Sequence, residues 1–328
     1  GVNKKYVNSS VKYIGGCRFM FRGNTNIMKL FSPERLYSYL IKDKYDIIVS
    51  YLEGPTARIV SGCTNPNTKL VSWIHIEQHN EKVASGSFKN YNEALRCYSK
   101  FDKIICVSRT VKEDFQSIFD LKNPVEVLYN TNESNFIVKK AHDKIVDVTF
   151  DKYVYNLVSV AKIVPSKGYD RLMKIHKKLL DDGIKNHVYI LGIGEEQEKY
   201  EKYLRDNHLE DTFTFLGFRD NPYKYVKNAD LYVCSSRREG FSTAVTEALI
   251  VGTPVVSTNC SGAYELLGDN NEYGIVTENN EDALYEGIKK ILTEENLLQH
   301  YKEQAKVRGQ RFSTEKTVKA VEDMFCEL

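Results

Sequence analysis

Short runs of apolar and β-branched residues alternate with stretches of helical period along most of this chain, and that alternation predicts parallel α/β sheets. In the first half the predicted strands are 45–50, 69–74, 103–108 and 125–129, with a shorter candidate at 11–14. The helices between them are 33–42, 56–62, 88–98 and 109–119. Ser32 and Pro33 give the first of these a cap and a first-turn proline. Phe88, Tyr91, Leu95 and Tyr98 share one face of the third, as core residues should. Residues 136–151 carry Lys139 and Lys140, show no clear period, and are the expected hinge. A second series follows, with strands at 155–161, 187–194, 212–219, 229–234, 254–257 and 274–276. Its helices are 169–180, 195–207, a short one opened by Asn221-Pro222, then 244–251, 281–292, 294–308 and 314–326.

One stretch organises the second series. Residues 235–247 read Ser-Ser-Arg-Arg-Glu-Gly-Phe-Ser-Thr-Ala-Val-Thr-Glu, between an apolar strand and a helix that Gly252-Thr253-Pro254 stops. Gly240 admits close approach of the backbone to a ligand. Ser242 or Thr243 can cap the helix, whose first-turn N–H groups then face any anion placed there. Glu239 and Glu247 bracket this turn. Two acids at that spacing are a weak signal in a chain with 44 of them, and a bland reading has both merely capping or solvating a helix. The strand before, the Gly-Phe-Ser after Glu239 and the Gly-Thr-Pro-Val-Val beyond make it far more specific. Upstream, Lys162 and Lys167 stand at a strand end ahead of a helix, a spacing that suits a diphosphate. The plain alternative for them is a solvated loop.

This arrangement resembles the signature of glycosyltransferase family 4, retaining enzymes of the GT-B fold. The family pattern is Glu, seven residues, Glu, with Gly-Phe after the first, and here it reads Glu239-Gly240-Phe241 and then Glu247. The resemblance implies two Rossmann-like domains facing across a cleft. Residues 1–140 would be the acceptor side, 150–312 the nucleotide-sugar side, and 313–328 a helix crossing back to the first domain. It also implies roles. Lys162, Lys167 and the helix start at Ser242 and Thr243 would hold the diphosphate, and Glu247 the ribose. Glu239 would hold sugar hydroxyls with the Gly240 and Phe241 backbone. The family has a His at a strand end near the donor sugar, and His75 matches it. The turn at Gly192 resembles the one beside the nucleotide, and the backbone near Phe218 and Arg219 the reader of the base. Two departures stand out: Ala161-Lys162 replaces the usual Gly-Arg, keeping the charge without the bidentate fork, and Ala263 replaces a glycine in the Gly-Gly-x-x-Glu turn. Gln197 stands where a dinucleotide fingerprint needs glycine, which argues against a dehydrogenase.

The implied activity is retaining transfer from a nucleotide-diphosphate sugar, a UDP-sugar by preference, to a glycan, lipid-linked or polymer acceptor of bacterial surface polysaccharide. The departing phosphate would take the acceptor proton. No Asp-x-Asp motif occurs, so no metal and no cofactor are expected. A non-catalytic GT-B partner subunit and a sugar-nucleotide epimerase are the competing readings. Family members open with a strand, a glycine-rich loop and a helix. Nothing of that kind precedes Gly1-Val2-Asn3, so the opening unit, with its acceptor residues, is expected to be missing.

Composition narrows this picture modestly. Hydrophobic content of 42% and charged content of 27% over 328 residues describe a soluble globular chain of two domains. No apolar run approaches the roughly 18 residues of a membrane span, and no signal peptide opens the chain. Seven cysteines at 17, 63, 97, 106, 234, 260 and 326 form no Cys-x-x-Cys pair, so reduced, buried thiols in a cytoplasmic protein are expected. Residues 1–150 hold 22 Lys+Arg against 15 Asp+Glu, while the remainder holds 24 against 29. The basic half invites peripheral contact with an anionic inner membrane face, or is simply an unequal solvated surface; nothing points to nucleic acid. The run Arg18-Phe19-Met20-Phe21-Arg22 fits either a membrane-surface loop or, the reading favoured, core aromatics.

Overall fold

The computed structural model describes residues 8–14 and 24–328. Among these, ten strands form two sheets. The first contains β1 (Ile47–Ser50), β2 (Lys69–Ile74), β3 (Lys103–Cys106) and β4 (Val125–Val127), in the order 1-2-3-4. The second contains β5 (Tyr155–Val160), β6 (Asn186–Leu191), β7 (Phe213–Gly217), β8 (Leu231–Cys234), β9 (Val255–Thr258) and β10 (Ile275–Thr277). All its pairs are parallel, and its order is 10-9-8-5-6-7. The chain groups into two compact units. One comprises Gly1–Ile74, Gln78–Ile104 and Gln116–Val125; the other His75–Glu77, Ile105–Phe115 and Glu126–Leu328.

The first unit is held by helix caps and one buried ion pair. Ser32 accepts from the Arg35 N–H, and Pro33 opens the helix Pro33–Leu40 behind it. Arg58, 1% exposed, places Nε and Nη2 on the two Glu93 oxygens at 3.0 Å and gives its remaining donors to the Met28 and Phe31 carbonyls. That gives every guanidinium nitrogen an acceptor, as a buried guanidinium requires. Two sequence expectations fail here. Residues 11–14 form no strand, and Val11 and Ile14 remain 56% and 55% exposed. β-propensity without a face to bury does not make a strand. The helix expected from Phe88 begins instead at Tyr91, because Asn90 accepts from the Glu93 N–H at 2.9 Å and caps it there. Phe88 still packs in the core, 1% exposed. Residues 18–22 lie outside the described residues.

In the second unit the interior strands β8 and β9 are buried along their whole length, the continuous apolar pattern of a sheet covered on both faces. Leu157, Leu172, Ile190, Val233 and Ile288 contribute to one core. The start of the expected hinge is ordered within the helix Ser134–Ala141, whose Ile137 and Ala141 are buried; residues 142–152 after it have no helix or strand. Of the described cysteines, Cys97, Cys106 and Cys234 are buried thiols as expected, but Cys326 is exposed on the last helical turn. Among the described residues no helix is long and apolar enough to cross a membrane.

Candidate active site

In the six-stranded sheet the chain reverses direction of travel between β5 and β8, which pair directly through Leu157–Leu231 and Val158–Tyr232. Ligands of open α/β sheets gather outside the carboxyl ends of strands at such a reversal. The residues that leave those two ends are Ala161-Lys162 and Ser235 through Gly240. Topology alone therefore brings the two loops singled out in the sequence to one place.

Hydrogen bonds lock the loops together. After β5 a short 3₁₀ turn, Pro165–Lys167, ends at Gly168 with φ of 67°. A Cβ there would lie 2.1 Å from the Ser235 carbonyl oxygen, so this position accepts glycine alone. The Ser235 hydroxyl donates to the Lys167 carbonyl at 2.8 Å, and the Arg237 N–H to the Ser166 carbonyl at 2.7 Å. Arg171, 5% exposed, donates to the Ser235 and Ser236 carbonyls. At the surface Arg237 forks onto Asp170 at 2.7 and 2.6 Å. The consequence is an ion pair across the two loops: Lys167 Nζ sits 2.6 Å from Glu239 Oε1, which also accepts from the Ser236 hydroxyl at 2.6 Å. Lys162 is exposed just beyond the end of β5.

Gly240 is pressed against the main chain at His75. A Cβ on it would fall 1.8 Å from the His75 carbonyl oxygen, so this glycine serves approach to backbone. Arg238 also donates to the Glu77 carbonyl at 3.3 Å, and the Ser261 hydroxyl to the Glu77 carboxylate. His75 is thus brought beside the motif through its main chain. Phe241 is 6% exposed and stacks on Tyr129 at 4.8 Å, so its ring is core and only its backbone is available to a ligand. Ser242 is the cap of the helix Thr243–Val251, accepting from the Val245 N–H at 3.4 Å, and Thr243 is exposed on its first turn.

Glu247 lies one turn further along that helix in different surroundings. Burial pushes its pKa up to about 7, against a hydrogen bond from the Tyr223 hydroxyl that lowers it. Gly192, with φ of 148°, lets its turn run against the Ala161 carbonyl, 1.9 Å from where a Cβ would stand. Phe218 is 65% exposed, and Arg219 is tied at 2.9 Å to Asp147. A cavity of about 1400 Å³ lies at the other end of this sheet, among Tyr155, Asn156, Lys185 and Asp230. None of the residues predicted for the site line it.

Residues 143–308, half of the chain, match the model of the glycosyl transferases group 1 family. The chain belongs to that family. Residues 8–131 match the model of glycosyltransferase family 4. The N-acetylgalactosamine-N,N'-diacetylbacillosaminyl-diphospho-undecaprenol 4-alpha-N-acetylgalactosaminyltransferase of Campylobacter jejuni is 29% identical over 280 residues, which is 84% of this chain and 72% of that one. The poly(ribitol-phosphate) alpha-N-acetylglucosaminyltransferase of Staphylococcus aureus is 25% identical over 282 residues, covering 84% of this chain but 54% of its own length. Anabaena HepE, solved with UDP, superposes with a TM-score of 0.69 at 18% identity, over 87% of this chain and 79% of that one. The fold is GT-B.

Two residues of this glycosyltransferase escaped the sequence reading, as did the partners of a third, Glu265 of the Gly-Gly-x-x-Glu turn. Arg171 shares a buried helical stripe with Ile175 and Leu179, and a cation on such a stripe was the available signal. Tyr223 opens the short helix Tyr223–Asn228 and meets Glu247. Glu265, 4% exposed, accepts from the Arg109 N–H at 2.6 Å and from the Tyr129 hydroxyl at 3.1 Å. It caps a helix that begins 156 residues earlier, which no local pattern announces.

Proposed function

We propose that this glycosyltransferase moves a sugar, with retention, from a UDP-sugar to a hydroxyl of a lipid-linked or polymeric acceptor of the bacterial surface. The observation that carries the reading is the Lys167–Glu239 pair, set at the sheet reversal beside the capped start of the motif helix. Lys167, Lys162 and the first-turn N–H groups are donors suited to a diphosphate. As the glycosidic bond lengthens, negative charge grows on that phosphate, and fixed cations stabilise it. Glu239 then takes sugar hydroxyls and Glu247 the ribose. Both relatives carry "alpha" in their names, and an alpha product from an α-linked nucleotide sugar is retention.

The cations take the place of a metal in this scheme, so activity persists in chelator. The acceptor class rests on the names of the two relatives, one acting on a diphospho-undecaprenol glycan and one on poly(ribitol phosphate). The basic first half, with Leu30 and Tyr39 exposed at 79% and 74%, supports peripheral contact with an anionic membrane face. Flotation with anionic liposomes tests that contact, and no retention at low salt rejects it. A thermal-shift screen against UDP-, GDP- and dTDP-sugars tests the donor. A UDP-sugar is expected to raise the melting temperature most, and a flat response to all of them defeats the reading.

A further inference from the structure

We propose that Arg171 is a positioning residue of the transfer reaction, holding the Glu239 carboxylate through the Ser235-Ser236 backbone; this rests on the donor reading above. The helix Tyr169–Asp181 starts directly after the Lys167-Gly168 turn, and Arg171 is its third residue. Nε reaches the Ser235 carbonyl at 2.9 Å, while Nη2 reaches the same oxygen at 2.6 Å and the Ser236 carbonyl at 2.7 Å. Among the described residues no carboxylate hydrogen-bonds this guanidinium, whose donors go to backbone carbonyls; the neighbouring Asp170 offsets part of its charge from a distance. Burial depresses its pKa, and the neighbouring Arg237 cation depresses it further. A fold that needed only a strut here would be served by a neutral amide at lower desolvation cost.

What the cation does becomes visible one bond further on. Ser236, fixed by its carbonyl, donates its hydroxyl to Glu239 Oε1, the oxygen that also receives Lys167. Arg171 therefore fixes the position of the carboxylate without touching it. The Asp170–Arg237 pair grips the same loop from the surface, with side chains 37% and 43% exposed, and serves as the internal control. An exposed pair contributes little.

The test compares Arg171→Gln, Arg171→Lys and Asp170→Asn with wild type in three readouts. These are UDP affinity by calorimetry, steady-state release of UDP from UDP-GlcNAc and UDP-GalNAc with water as acceptor, and melting temperature. Arg171→Gln is expected to lower kcat about 100-fold while UDP affinity changes less than about threefold. Arg171→Lys should recover about tenfold of that loss, and Asp170→Asn should stay within about twofold of wild type. If Arg171→Gln does not fold, Arg171→Lys carries the test at a matched folded fraction. Wild-type kcat in a folded Arg171→Lys and Arg171→Gln, or losses that follow the folded fraction in both kcat and affinity alike, overturn the proposal. A wild-type protein that neither binds UDP nor releases it defeats the donor reading itself, and is seen before any variant is compared.

Discussion

The loop that carries Glu239 and the helix that carries Glu247 belong to one motif, eight residues from acid to acid, yet they are built in opposite ways. The loop is polar and over-connected. Glu239 receives an ammonium and a hydroxyl, and the carbonyls beneath it are held by Arg171. The helix is apolar, ended cleanly by Gly252 at φ of 80°, and it leaves Glu247 with a phenol as the hydrogen-bond partner that holds its pKa down. One acid shares an oxygen between a cation and a hydroxyl; burial raises the pKa of the other to about 7. The difference shows how a single signature prepares two kinds of contact. The loop acid is fixed by direct side-chain partners, whereas the helix acid is set mainly by its surroundings.

The largest effect expected from breaking this contrast is at the loop. Replacing Glu239 with Gln should lower transfer by about 10³-fold, because the sugar hydroxyls lose a charged acceptor in the transition state. The same change frees Lys167 from its resident carboxylate, so UDP alone should bind severalfold tighter, about 1 kcal/mol. Calorimetry with UDP reads the second half, and weaker UDP binding would remove the idea that Lys167 is shared between Glu239 and the donor. Next in size is Gly240→Ala. With the His75 carbonyl 1.8 Å from the new carbon, the loop must move, and a loss of roughly 3 kcal/mol in stability is expected along with activity. Urea unfolding measures it. The equivalent change on the helix side, Ala244→Gly, should cost less than about 1 kcal/mol.

Much of this arrangement was legible in the sequence because it is local. The caps Ser32 and Ser242, the stop at Gly252, the Lys167-Gly168 turn and the bracketed motif all depend on residues within a few positions of one another. What stayed hidden joins distant segments. Arg171 meets carbonyls 64 and 65 residues away, and Glu265 caps a helix from 156 residues away. Gly240 was read as room for a ligand, and its position against the His75 carbonyl was not foreseen. The candidate strand at 11–14 failed for the same reason in reverse: its local pattern is adequate, and nothing covers its apolar side chains among the described residues.

The remaining effects belong to Glu247, and they have a definite sign. Burial raises its folded pKa from 4.5 to about 7, so the folded chain binds this proton more tightly than the unfolded one. The resulting stabilisation is complete below pH 4.5 and is lost as pH rises through about 7; it is worth up to roughly 3 kcal/mol. Melting temperature should therefore fall between pH 5 and 8 by an amount that Glu247→Gln removes. Donor binding runs the other way, since ribose hydroxyls favour the carboxylate. Between pH 6 and 8, UDP affinity should rise about tenfold, again only with Glu247 in place. Tyr223 refines the prediction. Its own pKa is pushed up to about 12 by burial and by Glu247, so it remains a protonated donor throughout that range. Its hydrogen bond lowers the pKa of Glu247, and Tyr223→Phe should therefore shift the midpoint of the UDP-binding curve to higher pH. A midpoint that stays fixed or moves down in that variant would mean that Glu247 is not the group being titrated, and the contrast between the two acids would have to be sought in the loop alone.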